Sequence, residues 1–318
     1  MTSSHASRNW LPDGRWHFQH GPIDLVIRAE GDAATVVHAH EDAFVRFQTV
    51  LQELVDELPA LRSPVGQQCP VQGVVARRMW TACAPYREGF ITAMAAVAGA
   101  VAEEILACYV RDGVDRAWVN NGGDIALHLA PGQGADVGVV ADLAGTHRAL
   151  LQQRATPLDG TMHIDSSMPV RGVATSGWRG RSLSLGIADS VTVLARTAAQ
   201  ADAAATVVAN AVNVQDARIT RMPAWLVRDD SDLGGMQVTV DVPPLPLAQV
   251  QSALQRGLHK AQALQSQGLL WFALLACQGH YAATPTARAA GAGAGALDAG
   301  ARDAAAAAAS AQVGSVFA

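Results

Sequence analysis

One stretch of this 318-residue chain constrains its reading more than any other. Thr197–Val212 has the spacing of a helix, with Thr197 placed as its N-cap. It is built mainly of Ala and Val, and it has no Lys, Glu or Arg between Thr197 and Asn213. A solvated helix face usually carries those residues. This helix carries Asp202, Thr206 and Asn210 instead, at i, i+4 and i+8, in one polar stripe. A carboxylate and a hydroxyl one turn apart are hard oxygen ligands. Mg²⁺ typically takes one or two protein carboxylates and completes its octahedron with phosphate or water. The stripe therefore allows two readings, a solvated polar face or a cation-binding face.

The chain around this helix mixes strands and helices. Arg15–His20 and Ile23–Arg28 alternate about Gly21-Pro22 and predict a hairpin. Val36, Phe44, Phe47, Val50, Leu51 and Leu54 recur at helical spacing and predict a helix over Ala33–Glu57. Val71–Cys83 and Met94–Arg111 read as two more helices. Ala117–Val119, Ile125–Leu129, Val137–Ala141, Met162–Ile164, Gly172–Ala174 and Ser190–Ala195 read as strands, as do Ala224–Val227 and Val238–Val242. Leu245–Cys277 reads as a closing helical segment. The expected fold is α+β, a mixed sheet with packed helices, in one domain over residues 1–280. Residues 281–318 are rich in Ala and Gly and have almost nothing to bury, so a disordered or partly helical extension is expected.

Composition excludes several classes of function. Half the residues are hydrophobic and only 16% are charged, which favours a sizeable buried core over disorder. A net charge of −5 without a basic stripe argues against nucleic acid as a partner. The longest apolar stretches, Ile91–Ala102 and Gly268–Cys277, are too short or too interrupted to span a bilayer, so no membrane partner is expected. Met1–Asn9 is polar and lacks an apolar core segment. Cys69, Cys83, Cys108 and Cys277 form no C-x-x-C pair. Both features point to the cytoplasm. His17 with His20, and His38 with His40, lack chelating spacing. No G-x-S-x-G elbow surrounds Ser176, which argues against a hydrolase built on it.

Three further stretches could touch a ligand. Asn120–Asp124 follows a strand, and its two glycines would let the backbone approach an oxyanion. Asp124 could orient a ligand hydroxyl or amide. An ordinary hairpin turn has the same composition. Val173–Gly177 ends another strand with two hydroxyls and a glycine, which suits phosphate or ribose and is also common loop chemistry. The small side chains of Met94–Ala100 would admit either a ligand or a second helix.

Taken in order, Met94–Glu103, Asn121-Gly122-Gly123-Asp124-Ile125, Val173–Gly177, Ser190-Val191-Thr192-Val193 and Ala201–Thr206 resemble the ApbE superfamily. Its known members are Mg-dependent FAD:protein FMN transferases. The resemblance runs over residues 15–280. Arg15–Phe18 and Arg181–Gly186 are similar to a compact branch without a lipoprotein signal. The resemblance implies an ApbE-like fold with Mg²⁺ and FAD as cofactors. Mg²⁺ would lie at Asp202 and Thr206, with a backbone carbonyl near Ala96. The FAD pocket would hold Asn121, Gly122, Gly123 and Asp124, with Thr175, Ser176 and Gly177 in the matching loop. The implied partner is a small nucleotide; the acceptor protein and a homo-oligomeric state are left open. Two departures stand out. Ala98-Gly99 replaces the transferases' Lys-Gly pair, and Trp178–Ile187 contains no His-x-x-Asp-Pro-x-Thr-Gly segment. They put flavin transfer itself in doubt, and no catalytic residue is assigned. The competing expectation is a catalytically degenerate ApbE-like binding or interaction module.

Overall fold

The structure, a computed structural model, describes residues 5–139, 160–180 and 182–285. The end of the predicted strand Val137–Ala141, Arg181, and the predicted extension from Thr286 onward lie outside them. Nine strands form the main sheet: β1 (Ser7–Trp10), β2 (Trp16–His20), β3 (Ile23–Gly31), β4 (Val114–Asn121), β5 (Asp124–Leu129), β8 (Gly172–Ser176), β9 (Ser190–Ala195), β12 (Phe272–Cys277) and β13 (His280–Ala283), side by side in that order. Two ribbons stand apart, β6 (Gly134–Val139) with β7 (Gly160–Asp165), and β10 (Thr220–Pro223) with β11 (Gln237–Asp241). The α+β class holds. The sheet is antiparallel along every ladder rather than mixed. Two-residue turns join β2 to β3 and β4 to β5, and so tight a turn returns the chain antiparallel.

The helices are α1 (Ala33–Asp56), α2 (Leu58–Leu61), α3 (Val74–Cys83), α4 (Val97–Leu106), α5 (Ala198–Ala211), α6 (Ala224–Val227) and α7 (Leu247–Ser266). Period-two alternation gives the sheet two apolar faces. Phe18, Leu25, Ile27, Val119, Val193 and Leu275 meet the helical layer. Trp118, Ile125, Leu127, Val173 and Leu194 face the other way, where Val137 and Ile164 of the β6–β7 ribbon cover them. Among the described residues no helix is long and apolar enough to cross a membrane.

α5 sits within the helical layer, with buried alanines along most of its length. Its start is tightly fixed. Thr197 Oγ1 accepts from Gln200 N at 3.3 Å, and Glu103 Oε2 accepts from Ala199 N at 3.3 Å. Both groups satisfy amides that a helix leaves free in its first turn. α4 crosses α5 at Gly99, where a Cβ would lie 2.3 Å from the Ala198 carbonyl oxygen. No side chain fits that approach, so the small-residue stretch admits a second helix here.

Two sequence expectations need correction. Ala224–Val227 forms the helical turn α6 instead of a strand. Ala224 N donates to Met236 O at 2.9 Å and Trp225 N to Gly234 O at 3.1 Å, so a neighbouring loop takes up its amides. Leu245–Cys277 is not helical throughout. α7 ends at Ser266, Gly268 turns at φ +72°, and Phe272–Cys277 enters the sheet between β9 and β13. A continuous apolar run reads alike as buried helix or buried strand.

β13 carries the sheet past the expected boundary at residue 280. Thr284 continues the contact: its N–H donates to Ala273 O, and its Oγ1 accepts from Ala273 N, both at 3.0 Å. Ending the chain after Gly279 is therefore expected to lower stability by about 2–4 kcal/mol relative to ending it after Pro285, at roughly 1 kcal/mol per lost hydrogen bond. Urea titration of the two proteins measures the difference; equal midpoints would show that β13 adds nothing.

Candidate functional site

Stretches far apart in the chain meet at the first half of α5. Asp202 Oδ2 accepts from Gly99 N at 2.9 Å, and the Ala98 amide also bonds this carboxylate. The carbonyl of Ala98 in turn accepts from Asn121 Nδ2 at 3.1 Å. Across the β4–β5 turn from Asn121, Asp124 Oδ1 accepts from Thr175 N at 3.2 Å. Thr175 Oγ1 lies 3.0 Å from Thr192 Oγ1. A line of hydrogen bonds thus joins α5 to α4 and β4, and a second joins β5 to β8 and β9.

Asp202 is partly accessible, yet protein packs densely around its carboxyl. Burial pushes this carboxyl up to about 7, and the amides of Gly99 and Ala98 offset part of that rise. No Arg, Lys or His among the described residues forms an ion pair with it. Thr206 is also partly accessible, one turn further along α5. Ala96 is buried at the end of the turn Ala93–Ala96, which packs against α5. Among the described residues no three His, Cys, Asp or Glu side chains could hold a metal together. An ion at Asp202 would need hydroxyl, carbonyl and non-protein oxygens, a donor set that suits Mg²⁺.

Other expected site residues have structural duties. Asn210 leaves the polar stripe: its Oδ1 accepts from Ser184 Oγ at 3.0 Å and Leu185 N at 2.9 Å. Gly122 and Gly123 take φ of +64° and +108°, the conformation a two-residue hairpin requires. The amide of Gly123 donates to Asn120 Oδ1 at 2.8 Å. A Cβ on Gly123 would meet nothing within 4 Å, so the turn is open on that side. Ser176 is buried, and a Cβ on Gly177 would lie 2.3 Å from the Asp189 carbonyl oxygen.

Sequence reasoning missed the groups behind the site. Glu103 pairs with Arg78 at 3.1 Å, and Glu104 pairs with Arg78 at 2.8 Å and Arg46 at 2.7 Å. These contacts tie α1, α3 and α4 together. Their one sequence signal is the acidic pair Glu103-Glu104 in an otherwise apolar helix.

Fold and motif order define an ApbE-like α+β protein. A family model described as "AbpE bacteria" matches residues 8–283, and the chain belongs to that family. A UPF0280 protein of Methanothrix thermoacetophila is 32% identical over 224 residues, covering 66% of this chain and 86% of the relative. A UPF0280 protein of Methanothermobacter thermautotrophicus is 37% identical over 134 residues, covering 41% of this chain and 46% of the relative. Among solved structures, the apo form of the Pseudomonas stutzeri flavinyl transferase ApbE is 12% identical, with a TM-score of 0.42, covering 93% of this chain and all of that one. The ApbE protein of Thermotoga maritima is 12% identical, with a TM-score of 0.39, covering 90% and 97%.

Proposed function

We propose that this protein binds a flavin nucleotide, FAD or FMN, or a related diphosphate with Mg²⁺; any reaction at this site would be transfer or cleavage at a phosphoanhydride, of the FMN-transferase type. Asp202 carries the reading: it is a desolvated carboxylate held by two amides, with no cation among the described residues to balance it. Membership of an ApbE-like family supports the ligand class. The residues present fit Mg²⁺. Asp202 and Thr206 would hold it, with a carbonyl of the Ala93–Ala96 turn. When bound, the ion neutralises charge that develops on the diphosphate. Gly99 and Ala98 orient the carboxylate, and Asn121 fixes the Ala98 carbonyl. Asp124 sets the position of Thr175, and the open side of Gly123 leaves room for a nucleotide.

A binding module without catalysis is the second reading. Ala98 at the family's Lys position and the absent His segment favour it. One experiment tests the ligand class for both readings. The protein is purified from cells, and mass spectrometry identifies the small molecules released on denaturation. A flavin supports the proposal, and an unrelated nucleotide would overturn the flavin assignment.

A further inference from the structure

Gly99 and Glu103 lie one turn apart on one face of α4, at i and i+4. Each grips a different residue of α5. Gly99 N donates to Asp202 Oδ2 at 2.9 Å, and Glu103 Oε2 accepts from Ala199 N at 3.3 Å. Ala199 and Asp202 are one turn apart in the same way, at i and i+3 on α5. At a rise of 1.5 Å per residue, the two attachments are about 6 Å apart along α4. One attachment would define only a pivot; two fix the direction in which α5 crosses. The crossing has no slack, because a Cβ on Gly99 would lie 2.3 Å from the Ala198 carbonyl oxygen.

Glu103 is held in turn from α3. Its Oε1 lies 3.1 Å from Arg78 Nε, so its two oxygens serve two helices. Arg78 Nη1 also donates to Glu104 Oε2 at 2.8 Å and to Ala100 O at 3.3 Å. Arg78 and Glu103 are both part-buried, so solvent screens this charge-assisted contact less than it would on the surface. A carboxylate in the first turn of α5 also suits the positive end of that helix.

We infer that Glu103, locked by Arg78, is a positioning residue for the Asp202 cation site. It holds α5 in the register at which the Gly99 amide aims the Asp202 carboxylate, and its effect reaches the ion through α5. This inference rests on the Mg²⁺ reading of Asp202 given above.

Two measurements on the full chain test it. The first needs no metal: amide hydrogen exchange in EDTA reads Gly99 and Ala199 separately. Glu103→Ala is expected to speed exchange at both, because the Gly99–Asp202 bond loosens once α5 can pivot. A simple helix cap would speed Ala199 and leave Gly99 unchanged, and that result overturns the inference. The second is calorimetric titration of MgCl₂. Glu103→Ala and Arg78→Met are each expected to weaken Mg²⁺ about tenfold or more, as loss of an outer partner does at metal sites. Glu103→Gln keeps an oxygen for Ala199 N and should lose less than Glu103→Ala. Arg78→Met, which leaves the Glu103 carboxylate in place, serves for both measurements where Glu103→Ala does not fold. Arg46 pairs with Glu53 and Glu104 at the α1 end of the same network. Arg46→Met should therefore lower the melting temperature and leave Mg²⁺ affinity as in the parent; a loss equal to that of Glu103→Ala would mark general loosening and overturn the inference. Parent-like affinity in Glu103→Ala, with Asp202→Asn still weakened, overturns this inference alone. A parent that takes up no Mg²⁺ overturns the reading of Asp202, and with it any role of Glu103 at a cation site.

Discussion

Asp202→Asn is expected to abolish the rise in melting temperature that Mg²⁺ gives the parent. A ligand at a hundredfold its Kd stabilises the folded state by about 2.7 kcal/mol, and the variant keeps the volume of Asp202 without its charge. The effect has a pH signature. In the folded protein, burial raises the Asp202 carboxyl from 3.8 to about 7. The folded state thus holds this proton more tightly than the unfolded state does. The stability it contributes is fully present below about pH 4 and is lost as pH rises through about 7. Asp202→Asn does not titrate, so without metal it gains on the parent across that window. Mg²⁺ binds the deprotonated carboxylate, so it adds most to the parent at the alkaline end. Melting curves near pH 5 and near pH 8, in EDTA and in Mg²⁺, measure all four quantities. An equal Mg²⁺ shift in parent and variant would remove Asp202 from the site.

Transfer of FMN to an acceptor protein is expected to be very slow, even where a flavin binds. The Ala98 backbone serves the site, since its amide bonds Asp202 and its carbonyl accepts from Asn121. Its side chain brings no charge to the position where the resemblance to FMN transferases implies a Lys. Losing one preorganised charge stabiliser commonly costs about two to three orders of magnitude in rate. Losing a general acid–base group costs about two to four more. No His or Asp between Trp178 and Ile187 makes good the second loss. The assay incubates the protein with FAD, Mg²⁺ and a flavinylation acceptor peptide and measures covalent FMN. Ala98 is partly accessible, so Ala98→Lys has room and should raise any residual transfer. Robust labelling by the parent would refute the expectation and leave the transferase reading without its rival.

Periodicity exposed most of the helical layer and the sheet's central strands. α1 begins after Asp32 because the Asp32 side chain accepts from Thr35 N, and its apolar spacing is unbroken to Leu54. Strand β12 was hidden by its own composition: Phe-Ala-Leu-Leu-Ala-Cys is as apolar as the core of a helix, and only its partners decide its form. At the site, the i, i+4 relation of Asp202 and Thr206 was legible because both lie on one helix. Asn210 shares that face, and a loop that no local spacing predicts draws it away. The Thr92–Asp232 hydrogen bond was invisible for a related reason: it is a tertiary contact across 140 residues of chain.

The place of β12 in the sheet also shapes how the molecule is made. β9 lies directly under α5 and pairs with β8 on one side; its other neighbour is β12, which follows in sequence only after α6, β11 and α7. Until Phe272–Cys277 has been synthesised, β9 has a bare backbone edge beside Val191 and Val193. Such an edge is a template for unwanted pairing, and a long-range strand addition is a slow folding step. A nascent or truncated chain that stops short of β12 therefore carries every proposed metal ligand yet leaves the sheet beneath them open, and it would depend on chaperones to stay soluble.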